Sequence, residues 1–225
     1  MLEGPQLRLR PLAARDLEPL AALINEQQHY GDELRFQPGA LAELQAGYAR
    51  DGLVGETHLV LIVERRADGE LLGTAHVYPA HPFCRIPEIG LYLYRPEHRR
   101  RGYGFEATAL LVGLLFATRP VPKVQLATDT ANRLLIEVLT HFGFVQEAVL
   151  RHVERRADHW RDYAVLALSR EVFEQQRGRP EVRFLLDPLF GDQPPDAAPT
   201  FPSAASRAPR PPHGPSGPAA PGLGA

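Results

Sequence analysis

The stretch HRRRGYGFEA, residues 98–107, sets three arginines ahead of two glycines that stand one residue apart, and then opens into an apolar run. Glycine backbones bend easily, so several N–H groups can point at one anion. A helix beginning near Phe105 would add the positive end of its dipole, and arginines would add charge-assisted hydrogen bonds. By itself the stretch predicts either a pyrophosphate-binding loop at a helix N-terminus or a tight turn with a solvated basic run.

Two better-known phosphate motifs do not fit this stretch. A Walker A loop requires the pattern G-x-x-x-x-G-K-[ST], which the sequence lacks. Gly102, Gly104 and Ala107 formally satisfy the dinucleotide fingerprint G-x-G-x-x-[GA], but that motif needs a buried strand leading directly into its first glycine. Here the polar run 97–101 precedes Gly102. Both nucleotide classes are therefore excluded as explanations of the loop.

The sequence around the loop alternates between strand-like and helix-like patterns. The order β-α-α-β-β-β-α-β-α-β-β predicts an α/β domain with a mixed central sheet of about seven strands and helices on its faces. The predicted strands are 7–10, 58–66, 71–79, 86–94, 123–129, 148–156 and 161–169, and the predicted helices are 16–24, 40–48, 105–117 and 132–142.

Composition divides the chain into three parts. The 225 residues are 44% hydrophobic, which is sufficient for one domain with a sizeable core. We assign this domain to residues 1–175 and a C-terminal extension to 176–191. Residues 192–225 are rich in proline, glycine and alanine, and a segment of this composition buries too little apolar surface to offset the entropy of ordering. We predict that this tail is disordered.

Several functional classes are disfavoured by composition. The net charge of −2 gives no electrostatic footprint for nucleic acid or an anionic membrane. The longest uncharged apolar stretch, 107–118, is far shorter than the roughly 20 residues of a membrane span. Cys84 is the single cysteine, so no intrachain disulfide is expected, and no metal-ligand pattern stands out. We expect a cytoplasmic protein that binds neither nucleic acid, membrane nor metal.

Four stretches of the sequence, one of which contains the loop, bear on the function of the loop. They are LRLRPLAARDLEPL at 7–20, PEIGLYLYRPEHRRRGYGFEA at 87–107, Asn132 followed by HFGFVQEAVLR at 141–151, and RDYAVLALSREVF at 161–173. Together they resemble the GNAT superfamily of N-acetyltransferases, and within it the ribosomal-protein N-acetyltransferase-like group. The resemblance covers about residues 7–173.

The resemblance implies a fold and a cofactor. Members of this superfamily bind acetyl-CoA as the acyl donor, with its pyrophosphate on the glycine loop, which favours the first of the two interpretations of that loop. The strand at 90–94 is then expected to splay from its neighbour and to pair with the pantetheine arm, with Leu93 contacting it through its backbone. Asn132 either binds the cofactor arm or caps the next helix, a role that asparagine fills well. The residues carried over as cofactor-binding are Leu93, Arg99, Arg100, Arg101, Gly102, Tyr103, Gly104 and Asn132.

The expected reaction is attack of a primary amine on the thioester. Glu88 is the candidate catalytic base, directly or through water; the alternative is a strand-end carboxylate facing solvent. Members of the superfamily often protonate the leaving thiolate with a tyrosine four residues before the Gly-Phe pair or with a serine three residues after the asparagine. In this sequence those positions hold Leu139 and Leu135. The sequence therefore leaves open a slower or water-assisted transferase and a catalytically silent acyl-CoA-binding or partner-binding module.

The acceptor site is the least determined part of the prediction. Its candidate residues are Tyr30, Phe36, His76, Tyr78 and Tyr163, with Glu26, Asp32, Glu33, His81 and Trp160 as further candidates nearby. Each has an alternative as a surface, packing or loop residue. The acceptor is expected to be a protein N-terminus or a small-molecule amine, and the chain is a candidate homodimer.

Overall fold

The computed structural model describes residues 1–26, 39–55, 58–81, 84–156 and 159–179, together with Val182 and Leu186. Tyr30, Phe36, Asp32, Glu33 and the tail 192–225 lie outside the described residues. In the described part, the chain forms strands β1 (Leu2–Glu3), β2 (Leu7–Pro11), β3 (Leu59–Arg65), β4 (Leu71–His81), β5 (Cys84–Leu93), β6 (Lys123–Asp129), β7 (Val145–Arg156) and β8 (His159–Ser169). Its α-helices are α1 (Leu17–Asn25), α2 (Leu41–Asp51), α3 (Tyr103–Thr118), α4 (Arg133–His141) and α5 (Arg170–Arg177).

The strands form one sheet in the order β1-β2-β3-β4-β5-β6-β8-β7. Neighbours pair antiparallel except β5 and β6, which run parallel and are connected through α3. The predicted α/β class with a mixed sheet is confirmed. Two elements were not predicted. The first, β1, has only two residues, which is too short for any periodicity; the second, α5, follows β8 directly and is capped by the Ser169 side chain.

The two faces of the sheet are covered by different helices. On one face, α3 packs into a large core with Phe144 and Phe173, and most α3 residues are buried. On the other face, α1 and α2 cover a smaller cluster that includes Ile62 and Tyr94. Despite the apolar character of α3, no helix among the described residues combines the length and hydropathy required to cross a membrane.

A buried carboxylate fixes α3 to the start of β2. Glu106 Oε1 accepts hydrogen bonds from the backbone amides of Gln6 and Leu7, at 2.9 and 2.8 Å. Glu106 Oε2 accepts from Gln6 Nε2 at 3.2 Å. Because a buried carboxylate requires such partners, this contact sets the position of the first turn of α3, and with it the glycine loop.

The sheet opens between β5 and β6. Among the residues that the structure describes, Glu88 and Gln125 form the one paired position between these strands. Beyond that point β5 continues towards the loop at 98–104, while β6 continues alongside β8 as far as Asp129. The strands therefore diverge as predicted, and the gap between them leads from Glu88 towards the glycine loop.

Candidate active site

The glycine loop ends in a helix N-terminus without a side-chain cap. Gly102 is the residue before α3, and its φ of 83° lies in the left-handed region that favours glycine. Arg100 also has a positive φ, 58°. The helix begins at Tyr103, two residues before the predicted start, because Gly102 supplies the turn into it. The backbone amides of its first turn have no intrahelical acceptors, so this end of α3 can bind an anion.

Gly104 is not required by the packing of the protein itself. A Cβ built at this position would meet only Leu91 Cδ2, at 3.8 Å, which is ordinary van der Waals contact. The space in front of the first turn of α3 is thus open, and a side chain there would fill it. This is the arrangement expected where a ligand approaches the backbone closely.

The predicted arginines of the loop differ in what they contact. The Arg99 guanidinium donates from Nε to the Leu93 carbonyl at 3.1 Å and from Nη2 to the Tyr94 carbonyl at 2.9 Å. It therefore ties the loop to the end of β5. Arg100 and Arg101 are exposed at the lip of the loop, whereas the Tyr103 side chain is buried, so that Tyr103 presents its backbone to the loop.

The backbone of β5 has an edge that faces the gap. The Tyr94 amide donates to the Leu72 carbonyl of β4 at 3.2 Å. Because hydrogen-bonding direction alternates along a strand, the backbone groups of Leu91 and Leu93 point to the opposite edge, towards the gap. The Leu93 carbonyl is used by Arg99, which leaves Leu91 as the position from which a bound chain can be paired.

A cavity of about 350 Å³ occupies the gap. Residues 89–92 of β5 and 126–129 of β6 form its walls, and α3 and α4 close one side through Thr108 and Leu135. The opposite side is lined by Tyr78, Arg156 and Tyr163. Its mainly apolar walls with a few polar groups are typical of a small-molecule site.

Asn132 caps α4, one of the two roles considered for it. Its Oδ1 accepts from the Leu135 amide at 3.4 Å, and its Nδ2 reaches Thr128 Oγ1 at 3.5 Å. It also lines the cavity and a second one of about 330 Å³, to which Arg100, Arg133 and Arg161 contribute. The second cavity lies beside the glycine loop and carries positive charge.

Glu88 stands where the two strands part. Gln125 Nε2 donates to Glu88 Oε2 at 2.8 Å. Tyr78 lies directly across from Glu88 on β4, so the two side chains are cross-strand neighbours on the same face of the sheet. Burial and the neighbouring Glu88 charge raise the pKa of Tyr78, so its hydroxyl keeps its proton at neutral pH. Tyr78 lines the cavity, whereas Glu88 is not one of its lining residues. Glu88 is half-buried on the face of the sheet covered by α1 and α2.

These geometries can be compared with known proteins. A sequence model of the acetyltransferase (GNAT) domain matches residues 6–145. The chain belongs to this family. YoaA of Bacillus subtilis, an uncharacterised N-acetyltransferase, is 28% identical over 156 residues, covering 67% of this chain and 86% of YoaA.

Solved structures of spermidine N-acetyltransferase share the fold. Spermidine N-acetyltransferase from Vibrio cholerae, crystallised with CoA and spermine, superposes with a TM-score of 0.64 at 20% identity, covering 76% of this chain and 99% of that one. A dodecameric structure of the same enzyme gives a TM-score of 0.62 at 19% identity, covering 79% and 99%. At these identities the similarity concerns the fold. Neither comparison selects the ribosomal-protein subgroup, which stays a prediction.

Among the acceptor-site candidates of this GNAT domain, His76 and Tyr78 lie on one face of β4. His76 Nε2 is 2.8 Å from Thr74 Oγ1, which is in turn 3.0 Å from the Tyr94 hydroxyl. Burial lowers the pKa of His76 to about 4, so the imidazole is neutral at physiological pH. The His76 ring also packs edge-on against Tyr92. His76 thus belongs to a buried polar chain beside the cavity.

Tyr163 reaches the cavity from β8. Its hydroxyl donates to Glu154 Oε2 at 2.5 Å, and Arg156 Nε donates to Glu154 Oε1 at 3.2 Å. Burial and Glu154 together raise the pKa of Tyr163 to about 12. Trp160, also on β8, is 54% exposed, and His81 is exposed at the end of β4. Neither of these two lines the cavity of the GNAT domain.

The two positions expected to hold the catalytic acid differ in burial and in whether they line the cavity of this GNAT domain. Leu139 is 1% exposed and packs in the core. Leu135 is partly buried and lines the cavity. A hydroxyl is therefore lacking on the α4 side of the cavity.

Sequence reasoning missed Gln125, Arg156, and the ion pair in which Arg161 Nη1 lies 3.3 Å from Asp129 Oδ2. The Gln125 contact depends on the single pairing between β5 and β6, which no local pattern encodes. Arg156 and Tyr163 come together because Glu154 accepts a hydrogen bond from each of them. Within the described ranges, no three His, Cys, Asp or Glu side chains are grouped as a metal site would require.

Proposed function

We propose that this GNAT domain transfers an acetyl group from acetyl-CoA to a primary amine. The observation that carries the proposal is the opened gap between β5 and β6, which joins an uncapped helix N-terminus at one end to Glu88 and Tyr78 at the other. An extended donor with a pyrophosphate at one end and a thioester at the other matches this arrangement.

The residues divide the work of binding the donor. The amides of Gly102, Tyr103 and Gly104 with Arg100 and Arg101 hold the pyrophosphate, because helix dipole and arginine charge both favour an anion there. Arg99 shapes the loop through the carbonyls of β5. The edge of β5 that faces the gap pairs with the pantetheine arm at Leu91, next to Leu93, whose carbonyl accepts from Arg99.

Catalysis requires a neutral amine at a fixed distance from the thioester. An alkylamine has a pKa near 10.4, so supplying its free base at pH 7 costs about 4–5 kcal/mol. Glu88 takes the proton that the nitrogen loses as the C–N bond forms. Holding amine and thioester together contributes more, since orientation supplies around 7–11 kcal/mol. The acceptor is a small amine or a protein N-terminus.

The test is thiol release from acetyl-CoA by the full chain. A panel of spermidine, a monoamine and a peptide with a free N-terminus would be compared with a no-acceptor control, and CoA affinity would be measured by calorimetry. Acceptor-dependent release, with an acetylated product by mass spectrometry, is expected for at least one amine. CoA binding without any release above the control would contradict transfer.

The same experiment decides a second function, that of a silent acyl-CoA-binding or partner-binding module. Leu135 and Leu139, which place no hydroxyl on the α4 side of the cavity, favour it. Tight CoA binding without turnover is its signature.

A further inference from the structure

We propose that Tyr78 protonates the leaving thiolate and regains its proton from Glu88, so that one phenol–carboxylate pair performs both proton transfers. This inference rests on the proposed function. It names the general acid of that reaction, for which α4 supplies no hydroxyl at the cavity. Tyr78 and Glu88 are directly opposite each other on β4 and β5, at the point where β5 and β6 part.

Tyr78 reaches the cavity by lying over Gly90 of β5. A Cβ at Gly90 would lie 3.5 Å from both Cε1 and the hydroxyl oxygen of Tyr78. The phenol therefore extends along Gly90 from β4 onto β5 and joins the cavity wall. Leu135 lines the same cavity from α4. The hydroxyl absent on α4 is thus supplied from another wall of the same space.

Other phenols that line the cavity have different contacts. Tyr163 donates its hydroxyl proton to Glu154 at 2.5 Å, and Glu154 is also bound by Arg156. Tyr92 lies further along β5, towards the glycine loop, where it stacks on Tyr94. Tyr78 is the one of the three that pairs across the sheet with Glu88.

The step balances without another reactant. The neutral amine forms a C–N bond to the acetyl carbonyl carbon, and the C–S bond breaks with its electron pair remaining on sulfur. Glu88 accepts the proton lost from nitrogen, and Tyr78 gives its hydroxyl proton to sulfur. Glu88 then returns a proton to the Tyr78 oxygen, since the two side chains are direct neighbours across β4 and β5. The products are an amide and a neutral thiol, and both side chains recover their initial states.

The electrostatics of the pair favour this order. Burial is the largest cause that raises the pKa of Tyr78, and the charge of Glu88 is the next. When Glu88 takes up the proton of the amine, its charge disappears and the phenol becomes more acidic. The proton of Tyr78 is therefore easiest to give at the moment when the thiolate needs it.

A double-mutant cycle on the full chain tests the pair. Tyr78→Phe removes the acid, and Glu88→Gln keeps a hydrogen-bonding group but cannot carry the proton. Each is expected to lower kcat for amine acetylation on the order of 100-fold, the usual contribution of an acid or base, without raising the KM for acceptor. Because the two residues act as a unit, the double variant is expected to be about as slow as the slower single variant. Tyr48→Phe, on α2, is the matched control for loss of a phenol hydroxyl.

Three readouts make the outcomes distinct. CoA dissociation constants and unfolding midpoints report whether each variant is folded and binds the donor. The inference is overturned if Tyr78→Phe keeps the wild-type kcat, if it changes only the KM for acceptor, or if the two single effects multiply. A large loss of kcat in Tyr163→Phe beside an active Tyr78→Phe would also overturn it, by assigning the acid to β8. If the wild-type chain releases no thiol from acetyl-CoA with any amine, both the proposed function and this inference are wrong.

Discussion

At the scale of single residues, His76 shows how burial sets protonation. The imidazole is enclosed beside Tyr92, and Thr74 satisfies its Nε2. Desolvation penalises the charged form, which lowers the pKa to about 4. In the proposed acceptor site, a neutral histidine adds no positive charge that would repel a protonated amine.

The His76 pKa predicts a dependence of stability on pH. An unfolded histidine titrates near 6.5, so between about pH 6.5 and pH 4 the unfolded chain binds a proton that the folded chain does not. Stability from this residue is therefore complete above pH 6.5 and is lost as pH falls towards 4, by up to about 3 kcal/mol. We expect His76→Gln to flatten the slope of unfolding free energy against pH in this window, as measured by urea denaturation.

The control for this measurement is His141→Gln, which removes an exposed imidazole at the end of α4. Both variants would be compared with the wild-type chain at several pH values. An unchanged slope in His76→Gln would show that the imidazole is already charged in the folded protein.

At the scale of elements, the junction between the glycine loop and α3 is the proposed binding site of the pyrophosphate. Gly104 lies in the first turn of α3 and has open space before it, so a side chain costs the fold little. We expect Gly104→Val to weaken CoA binding by about tenfold or more, roughly 1.4 kcal/mol, because the side chain would occupy the space that the pyrophosphate needs. Calorimetry with CoA measures this directly.

Gly104→Ala, which adds a single methyl group, provides the graded comparison. Its effect on CoA affinity should be smaller than that of valine, while both variants keep an unfolding midpoint close to that of the wild type. A wild-type affinity for CoA in Gly104→Val would show that the pyrophosphate does not bind at this turn.

Elements with a strong local pattern were predictable from the sequence. Those with little local signal were not. The strands β3 to β6 and β8 carry β-branched and aromatic runs, and the structure has them within a few residues of the predicted bounds. Helix α3 is apolar on all sides, so its start was set by Gly102 and not by periodicity. Strand β7 begins three residues before its predicted start, since its exposed Val145 gives no alternating pattern there.

The candidate site follows the same division. The glycine loop and Glu88 could be located from sequence because loop chemistry and strand position are local. Gln125, which orients Glu88, comes from a strand 37 positions further along the chain. The Tyr78–Glu88 pair requires the register of β4 on β5, and the cavity requires β5 and β6 to diverge. These are properties of tertiary pairing, which one-dimensional patterns do not encode.

At the scale of the whole molecule, the core extends beyond the domain boundary at residue 175 that composition suggests. Val182 and Leu186 are 5% and 2% exposed and belong to the core on the α3 face. Both lie in the segment that the sequence divides from the domain as a C-terminal extension. The chain after residue 191, by contrast, has the composition of a disordered tail.

Two truncations separate these contributions. A chain ending at Gly191 loses only the proline-rich tail, so we expect its unfolding free energy to stay within about 0.5 kcal/mol of the full chain. A chain ending at Gly178 also loses Val182 and Leu186 and exposes the core that they cover. Large-to-small core changes cost about 2–5 kcal/mol each, so this second truncation should be destabilised by several kcal/mol in urea titrations.

Leu186→Ala in the full chain isolates the core contact from the change in length, and it should reproduce part of that loss. Equal stability of the two truncated chains would mean that Val182 and Leu186 add nothing to the core, and a destabilised chain ending at Gly191 would mean that the proline-rich segment packs on the domain.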